Sequence, residues 1–230
     1  MMSLRTTLQA AACVAALLVP AAASAAPFTF FGSQTTTAPA GTTAVNPGSL
    51  PSGVTATFAA PAEIGSLPNV SGRYASPIQQ DGTPLASYFS TNLTSPGTGG
   101  TATTGSAGTI TFTFATPERY LGLLWGSVDA SNVLSFYSGG TLLGSITGAD
   151  VSAASGVPSN GIQSYGGSAF INVNFADGFS FDRVVAASDQ VSFEFGNLAV
   201  STTPVPEPGS MALLGAGLLG MGMIRRKRSA

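Results

Sequence analysis

The stretch TITFTFA, Thr109–Ala115, alternates apolar and polar side chains, with one Ile and two Phe set between three Thr. Such alternation is typical of a β-strand that buries one face and exposes the other. INVNF, Ile171–Phe175, and VSFEF, Val191–Phe195, repeat the pattern with Asn, Ser and Glu at the polar positions. Glu194 is therefore expected to point outward. The period of two, and the absence of long helical periodicity between the two ends, indicate an all-β fold.

Further segments rich in strand-forming residues lie between turn residues. We predict strands at Phe28–Phe31, Val54–Ala59, Ser87–Ser90, Tyr120–Val128, Val133–Ser138 and Leu142–Ile146. Gly139-Gly140 predicts a hairpin, Asp150–Ala154 one short helical turn, and the low-complexity segment Asn92–Gly108 a loop. Roughly nine short strands without helices between them predict an antiparallel β-sandwich, jelly-roll-like, over residues 26–203.

The chain lacks residue types that most reactions need. It contains no His, its single Cys is Cys13, and its single Lys is Lys227. These absences exclude a His-based triad, and they exclude a Cys nucleophile, a disulfide or a His/Cys zinc site from the region after residue 25. They also exclude a phosphate-binding P-loop in the body of the chain. No catalytic motif is found, so the sequence predicts a protein that is not an enzyme.

Residues 1–25 have the three parts of a secretory signal peptide. Arg5 precedes an apolar run of about a dozen residues, and the segment ends in AAASA. Ala23 and Ala25 fit the small-residue pattern of a signal peptidase site, which predicts cleavage before Ala26. An uncleaved N-terminal anchor is the alternative, although the run is short for spanning a bilayer.

The other end of the chain also carries a membrane-directed pattern. Pro206, Glu207 and Pro208 precede the uncharged run Gly209–Ile224, which would span about 24 Å as a helix. A basic cluster follows, consisting of Arg225, Arg226, Lys227 and Arg228, within the tail 225–230. The positive-inside rule then predicts a single transmembrane helix with a cytoplasmic C-terminus and the body on the opposite side. A buried core helix is the alternative, which five Gly in 16 residues disfavour.

This arrangement over residues 204–230 resembles the PEP-CTERM sorting signal. The resemblance implies recognition by an exosortase, cleavage near Pro206-Glu207-Pro208, and delivery of the body to the cell surface or the extracellular matrix. Ala212, Ala216 and Gly220 form a line of small residues that could dock on a membrane partner.

The body carries a second, less extensive resemblance. Leu121–Val151, with the turn WGSVD, and the later stretch FDRVVAASDQVSFEFGNLAV are similar to a family of exosortase-dependent surface proteins with a β-sandwich body. Many members have Asp-Asn in the last strand, where this chain has Gly196-Asn197. The resemblance implies a β-sandwich fold, and it supplies no catalytic activity that could be assigned to this chain.

Trp125 is the only Trp, and Asp129 and Asn132 follow it closely. One hypothesis makes Trp125 a platform for a sugar ring, with Asp129 and Asn132 binding sugar hydroxyls. The alternative makes Trp125 a core residue at the end of a strand and Asp129 the start of a turn.

Two other chemistries depend on carboxylates. Aspartates at predicted turns could bind Ca²⁺, although no EF-hand spacing is present; they are Asp129, Asp150, Asp177, Asp182 and Asp189. A glycosidase needs two carboxylates about 5–10 Å apart, for which Glu63, Glu118 and Glu194 are available. Glu118 is expected to pair with the adjacent Arg119. No metal site and no cofactor are predicted.

Charge gives the last exclusion. From Ala26 to Pro208 there are ten acidic residues and three Arg, a net charge of −7, so nucleic acid is not an expected partner. The leading hypothesis is an exported, exosortase-processed, non-enzymatic surface protein, structural or glycan-contacting and associated with exopolysaccharide. The alternatives are a secreted carboxylate-dependent polysaccharide hydrolase and a single-pass membrane protein that is never cut.

Overall fold

The computed structural model describes residues 26–33, 37–66, 69, 74–92, 108–188 and 192–205. The predicted signal peptide, the Pro-Glu-Pro motif, the predicted transmembrane helix and the basic tail lie outside the described residues, as does nearly all of the predicted loop Asn92–Gly108. Within the described ranges, no helix is long and apolar enough to cross a membrane.

Twelve strands and one short α-helix make up the described chain. The strands are β1 Phe28–Ser33, β2 Thr43–Val45, β3 Val54–Ala59, β4 Glu63–Ser66, β5 Ser87–Ser90, β6 Thr109–Glu118, β7 Tyr120–Gly126, β8 Asn132–Ser138, β9 Thr141–Thr147, β10 Ala169–Phe175, β11 Phe181–Ser188 and β12 Glu194–Ser201. Helix α1, Gly148–Ser155, follows β9 and confirms the predicted helical turn. The nine predicted strands are confirmed, with boundaries shifted by a few residues.

The strands form two antiparallel sheets. A seven-stranded sheet has the order β1-β10-β7-β12-β5-β4, with β2 also pairing with β12, and a five-stranded sheet has the order β3-β6-β11-β8-β9. Strands β8 and β9 form the hairpin predicted at Gly139-Gly140, since Ser138 pairs with Thr141. The prediction of an all-β, antiparallel fold is therefore confirmed.

A single large apolar cluster lies between the sheets. Its members from the two sheets include Leu121, Leu123, Ile171, Ile110, Phe112 and Val184, all at most 1% exposed. Aromatic rings join the layers: Phe89 and Phe112 meet edge to face with their ring centroids 5.0 Å apart, and Phe175 and Phe181 lie at the same separation. Burial of this many apolar side chains is the main source of the stability of the fold.

Strand β11 was not predicted from the sequence, although it lies at the centre of the five-stranded sheet. Its pairing with β6 shifts register between Phe181 and Arg183: two residues of β11 correspond to five of β6, from Glu118 to Thr113, so the additional residues belong to β6. Within β11, Phe181 and Val184 are both buried although they are three residues apart. This spacing of buried residues breaks the period of two by which strands are recognised in a sequence.

Strand β12 contains a second irregularity, between Gly196 and Ala199 in its pairing with β7. Asn197 has a φ of 46°, in the left-handed region that Asn tolerates better than most residues. The Gly196-Asn197 pair noted in the sequence is therefore part of a bulge in the last strand. Leu198 and Val200 on the C-terminal side of this bulge again face the core.

Antiparallel pairing gives the sandwich two distinct ends. We call the tail end the one that carries the β6–β7 turn at Arg119, the β10–β11 turn Ala176–Ser180 and the hairpin at Gly139-Gly140. We call the far end the one that carries the β7–β8 connection Ser127–Ser131 and helix α1. The two crossovers β6–β7 and β7–β8 link the two sheets at these opposite ends, because seven-residue strand β7 separates them.

Candidate functional site

The last strand delivers the sorting segment at the tail end. After β12 the backbone N–H of Val205 donates a hydrogen bond of 2.8 Å to Oδ1 of Asn174, at the end of β10. The backbone N–H of Arg119 donates to the carbonyl oxygen of Ser201 at 2.8 Å. The folded body thus extends to Val205, one residue before Pro206.

Arg119 also secures the end of β10. Its Nη2 donates to Oδ1 of Asp177 at 2.7 Å and to the carbonyl oxygen of Phe175 at 3.2 Å. The expected ion pair between Glu118 and Arg119 is wrong, because the β10–β11 turn brings Asp177 to the guanidinium while the side chain of Glu118 is buried. Glu118 is 9% exposed, its Oε2 has no hydrogen-bond partner among the described residues, and burial raises the pKa of its carboxyl.

The first residues of the body lie at this same end. The carbonyl oxygen of Pro27 accepts a hydrogen bond of 3.0 Å from the backbone N–H of Ala176. Strand β1 begins at Phe28, directly opposite Phe175 of β10. The segment predicted to follow signal cleavage and the segment that leads into the Pro-Glu-Pro motif therefore both leave the sandwich beside the end of β10.

Trp125 is a core residue, which corrects the hypothesis of a sugar-stacking platform. Its side chain is 0% exposed, and its ring centroid lies 4.2 Å from that of Phe193. Trp125 lies on the inner face of β7, where the second sheet covers the indole, so no ring face is open to a ligand. Its Nε1 has no hydrogen-bond partner in the described part of the chain.

Asp129 and Asn132 are both near the far end, but they do not form a sugar site with Trp125. Asn132 is fully buried, and neither its Oδ1 nor its Nδ2 has a hydrogen-bond partner within the described ranges. Asp129 is half-buried, and its backbone forms an isolated antiparallel β-bridge with that of Asn160. A Cβ added at Gly161 would come within 2.7 Å of Oδ1 of Asp129, so Gly leaves room for the carboxyl. Burial raises the pKa of Asp129 to about 6.

Glu194 is buried, which corrects the prediction that it points to solvent. Its side chain does lie on the face of the sheet opposite the sandwich core, but it is only 1% exposed. One carboxyl oxygen, Oε1, accepts a hydrogen bond of 3.1 Å from the backbone N–H of Ala75, and Oε2 has no hydrogen-bond partner in the described chain. Burial, with a smaller contribution from the charge of Asp129, raises the pKa of Glu194 well above its ordinary value of 4.5.

The cover over Glu194 is the segment Tyr74–Leu85, which crosses the outer face of the seven-stranded sheet. A Cβ added at Gly126 would lie 2.8 Å from Cα of Pro77, so this glycine permits the segment to approach the sheet closely. Ser76 holds the segment by donating from Oγ to the carbonyl oxygen of Leu85 at 2.7 Å. The outer face is consequently a second, smaller core, in which Leu85, Tyr88, Leu124 and Phe170 are buried together.

The three glutamates proposed for hydrolysis are not brought to one place. Glu118 lies at the tail end of β6. Glu63 and Glu194 both pair with Ser90, so they lie on the same face of the sheet two strand spacings apart, about 10 Å between Cα atoms. Glu side chains at this Cα separation are long enough to bring their carboxyls to the roughly 5–10 Å spacing of a glycosidase pair. Only Glu63 is exposed, however, because the segment Tyr74–Leu85 closes over Glu194.

The aspartates proposed as Ca²⁺ ligands lie at both ends of the sandwich. Asp150 caps helix α1 in a capping box with Thr147, and Asp182 accepts a hydrogen bond from the backbone N–H of Gly139 at 2.8 Å. Asp177 pairs with Arg119, and Asp189 lies outside the described residues. Within the ranges that the structure describes, no three Asp or Glu residues are grouped so as to hold a metal ion.

A small cleft at the far end was not found from the sequence. It has a volume of about 100 Å³ and lies between the end of α1 and the start of β10. Its lining includes the half-exposed ring of Tyr165 and the hydroxyl-bearing residues Ser33, Ser155 and Ser168. No local pattern marks these residues, because four separate segments contribute them. The exposed side chain of Tyr165 gives the cleft an aromatic surface, while the hydroxyls of Ser155 and Ser168 form hydrogen bonds with Val151 and Ile78.

Comparison with known proteins supplies one match. Neither a curated protein nor a solved structure matches the chain. Residues 204–228 match the family model described as the PEP-CTERM protein-sorting motif. The match begins at Pro204, within three residues of the end of β12, and includes the Pro-Glu-Pro, the apolar run and the basic cluster. The chain therefore carries a PEP-CTERM sorting signal, which implies an exported, membrane-anchored precursor that an exosortase processes and that then reaches the surface.

Proposed function

We propose that this protein is a non-enzymatic component of the cell surface or extracellular matrix, released from the membrane by exosortase cleavage near Pro206-Glu207-Pro208. The observation that carries the proposal is the position of the sorting motif, which begins within three residues of the end of the last strand. The body is therefore a complete folded unit at the point where cleavage would separate it from the tail.

The proposal includes a defined path. The signal peptide 1–25 directs export and is cut after Ala25, while Gly209–Ile224 stops in the inner membrane as a helix. Arg225–Arg228 stay in the cytoplasm, because basic residues are retained on that side. Both ends of the body are tethered at the same end of the sandwich, which is compatible with a precursor whose two membrane-directed segments enter one bilayer.

The role of the body is structural or glycan-contacting, in association with exopolysaccharide. The burial of Trp125 moves the proposed contact to the cleft beside Tyr165, whose ring is 47% exposed. Negative charge on the body favours a neutral or cation-bridged polysaccharide over an acidic one. No cofactor is part of the proposal.

The test of sorting is the mature C-terminus of the protein in a host that contains an exosortase. Mass spectrometry of the surface fraction is expected to show a body that ends near residue 206. Glu207→Ala or deletion of 225–228 should leave the tail uncut on a membrane-retained form. Glu63→Gln, on the folded body, is the matched control and should be processed normally. Surface protein that keeps its whole tail would reject processing and support the single-pass alternative.

The hydrolase alternative retains one specific observation, the spacing of Glu63 and Glu194 on one sheet face. It requires the segment Tyr74–Leu85 to open, since Glu194 is otherwise closed to substrate. Release of reducing sugar from a panel of polysaccharides by the wild-type body, abolished by Glu63→Gln and by Glu194→Gln, would establish it. Absence of release across the panel is the result expected here.

A further inference from the structure

We infer that the tail end of the sandwich lies against the lipid headgroups in the membrane-held precursor, with Phe179 and Leu142 as its apolar contacts. The far end, which carries the cleft beside Tyr165, then points away from the membrane. The inference rests on the proposed function, because it requires the tail to be lodged in a bilayer. It adds an orientation and an interaction surface that the sorting motif does not define.

The short connection between body and tail is the first reason. Val205 is held to Asn174 by its hydrogen bond, and the apolar run begins at Gly209. Four residues span at most about 14 Å when fully extended. The end of β10 must therefore stay within that distance of the point where the chain enters the bilayer.

The shared exit of both chain ends is the second reason. Pro27 is tied to Ala176 at the same end, so nothing at the N-terminus of the body pulls the opposite end toward the membrane. Arg119 joins this turn to β10 and, through its backbone N–H, to the end of β12. These contacts fix the β10–β11 turn to the end of β12, so the tail end is held close to the segment that leads into the membrane.

Exposed apolar side chains are the third reason. Of the four large apolar residues that are exposed in the described chain, two belong to the tail end: Leu142 at 53% and Phe179 at 36% exposure. Leu142 follows the hairpin at Gly139-Gly140, and Phe179 lies in the β10–β11 turn. The hydrogen bond from the N–H of Gly139 to Asp182 fixes that hairpin beside the start of β11. Aromatic and aliphatic side chains of this kind favour the membrane–water interface.

The same turn carries acidic groups, which decides the kind of lipid. The carboxyl of Asp177 is fully exposed, and Asp182 lies nearby at the start of β11. Asp177 is paired with Arg119, and Asp182 is followed by Arg183, so the charges at this end balance and the surface fits zwitterionic headgroups. The far end has no comparable tether among the described residues, and the length of seven-residue strands such as β7 places it about 23 Å from the tail end.

Two exposed glycines provide a matched pair of probe positions. A Cβ added at Gly140 of the tail end or at Gly166 of the far end would meet no atom within 4 Å. Because Cys13 is the only cysteine, the background is the full chain with Cys13→Ser. Gly140→Cys and Gly166→Cys are each labelled with an environment-sensitive fluorophore. The uncut protein is then reconstituted in phosphatidylcholine vesicles that contain a nitroxide-headgroup lipid as quencher.

Quenching at position 140 is expected to exceed that at position 166 about threefold or more, given the separation of about 23 Å between the ends. The double variant Phe179→Ser, Leu142→Ser should reduce the difference in quenching between positions 140 and 166, while the protein stays bound to the vesicles. Equal quenching at both positions in vesicle-bound protein would overturn the orientation and leave the proposed sorting intact. Quenching at position 140 unchanged by the double variant would overturn the assigned contacts.

Two further outcomes concern the tail and the enzyme. Failure of the uncut chain to float with vesicles would reject the anchored tail, and the inference with it. Shielding of position 140 only when exosortase is also present would assign the surface to that enzyme and overturn contact with lipid.

Discussion

The backbone N–H of Val205 donates a 2.8 Å hydrogen bond to Oδ1 of Asn174, which fastens the chain one residue before the Pro-Glu-Pro motif. Asn174 faces outward from β10 and is only partly buried. The contact therefore links the last part of the folded body to the segment that an exosortase must reach.

Loss of this contact should make cleavage faster. Asn174→Ala removes the acceptor, and a hydrogen bond of this kind contributes about 0.5–1.5 kcal/mol. If Val205 must detach before Pro206 enters the enzyme, processing should accelerate by roughly two- to tenfold. Pulse-chase measurement of precursor and mature forms checks this. Asn174→Asp keeps an acceptor oxygen and should behave like the wild type; an unchanged rate in Asn174→Ala would show that Val205 need not detach.

Trp125 should report on the core and not on a ligand. Trp125→Ala leaves a cavity against Phe193 and should lower the free energy of unfolding by about 3–5 kcal/mol. Trp125→Phe keeps an aromatic contact, removes the unpartnered indole N–H, and should cost about 1–2 kcal/mol. Urea unfolding followed by circular dichroism measures both. In the wild type, the fluorescence of this single Trp should be unaffected by oligosaccharides, and quenching by a sugar would contradict its burial.

Glu194 should make the protein less stable as the pH rises. Its folded-state pKa is raised above 4.5, so the folded form holds a proton that the unfolded form releases. The contribution of Glu194 to the free energy of unfolding is therefore most favourable below pH 4.5. It falls as the pH increases toward the folded-state pKa, by up to about 1.4 kcal/mol per pH unit. Urea midpoints measured between about pH 4.5 and 8 test this, and Glu194→Gln should flatten the slope.

Asp129 is the matched comparison for that experiment. Its pKa is raised from 3.8 to about 6, so ionisation of Asp129 also lowers the stability of the protein as the pH rises, and this loss is complete near pH 6. The loss is smaller than that from Glu194, because Asp129 is partly exposed to solvent. Asp129→Asn should therefore flatten the profile only below about pH 6–7. The chain contains no His to add a transition in this range. A Glu194→Gln variant with the full wild-type slope up to about pH 8 would show that Glu194 is ionised in the fold.

Asp150 should stabilise helix α1 through its capping box. Its carboxyl accepts hydrogen bonds from the backbone N–H and Oγ1 of Thr147, at 2.8 and 2.6 Å, and these bonds lower its pKa. Asp150→Ala should lower the free energy of unfolding by about 1 kcal/mol at about pH 7. The difference should shrink as the pH falls below 3.8, where the wild-type carboxyl becomes protonated. Ala153→Ser, on the exposed side of the same helix, is a control that should change stability by less than about 0.5 kcal/mol.

The strands that the sequence predicted share a regular alternation. Thr109–Ala115 and Ile171–Phe175 each carry polar residues on one face and apolar residues on the other, and this alternation predicts both strands. Strand β11 was missed because its buried residues Phe181 and Val184 are three residues apart, which hides the period of two. Strand β2 has only three residues, and β4 contains one large apolar residue, Ile64, beside Gly65, so neither shows an alternation of apolar and polar side chains.

The candidate site depended more on distant segments than on local pattern. Alternation correctly assigned Glu194 to the face opposite Phe193 and Phe195, but that face was assumed to meet water. The segment Tyr74–Leu85 covers it instead, and no residue near Glu194 in the chain indicates this. Likewise, adjacency suggested Glu118 as the partner of Arg119, while the β10–β11 turn supplies Asp177.

By itself the sequence determined the strand-rich fold and the sorting signal, because both are written in residues close together along the chain: alternate polarity within a strand, and Pro-Glu-Pro, apolar run and basic cluster in the tail. Tertiary structure alone decided which carboxyls are buried, that Trp125 lies in the core, and that both ends of the body leave beside β10. Those features depend on which segments cross one another in space, and burial is a property of all the neighbours of a side chain, most of which come from remote parts of the sequence.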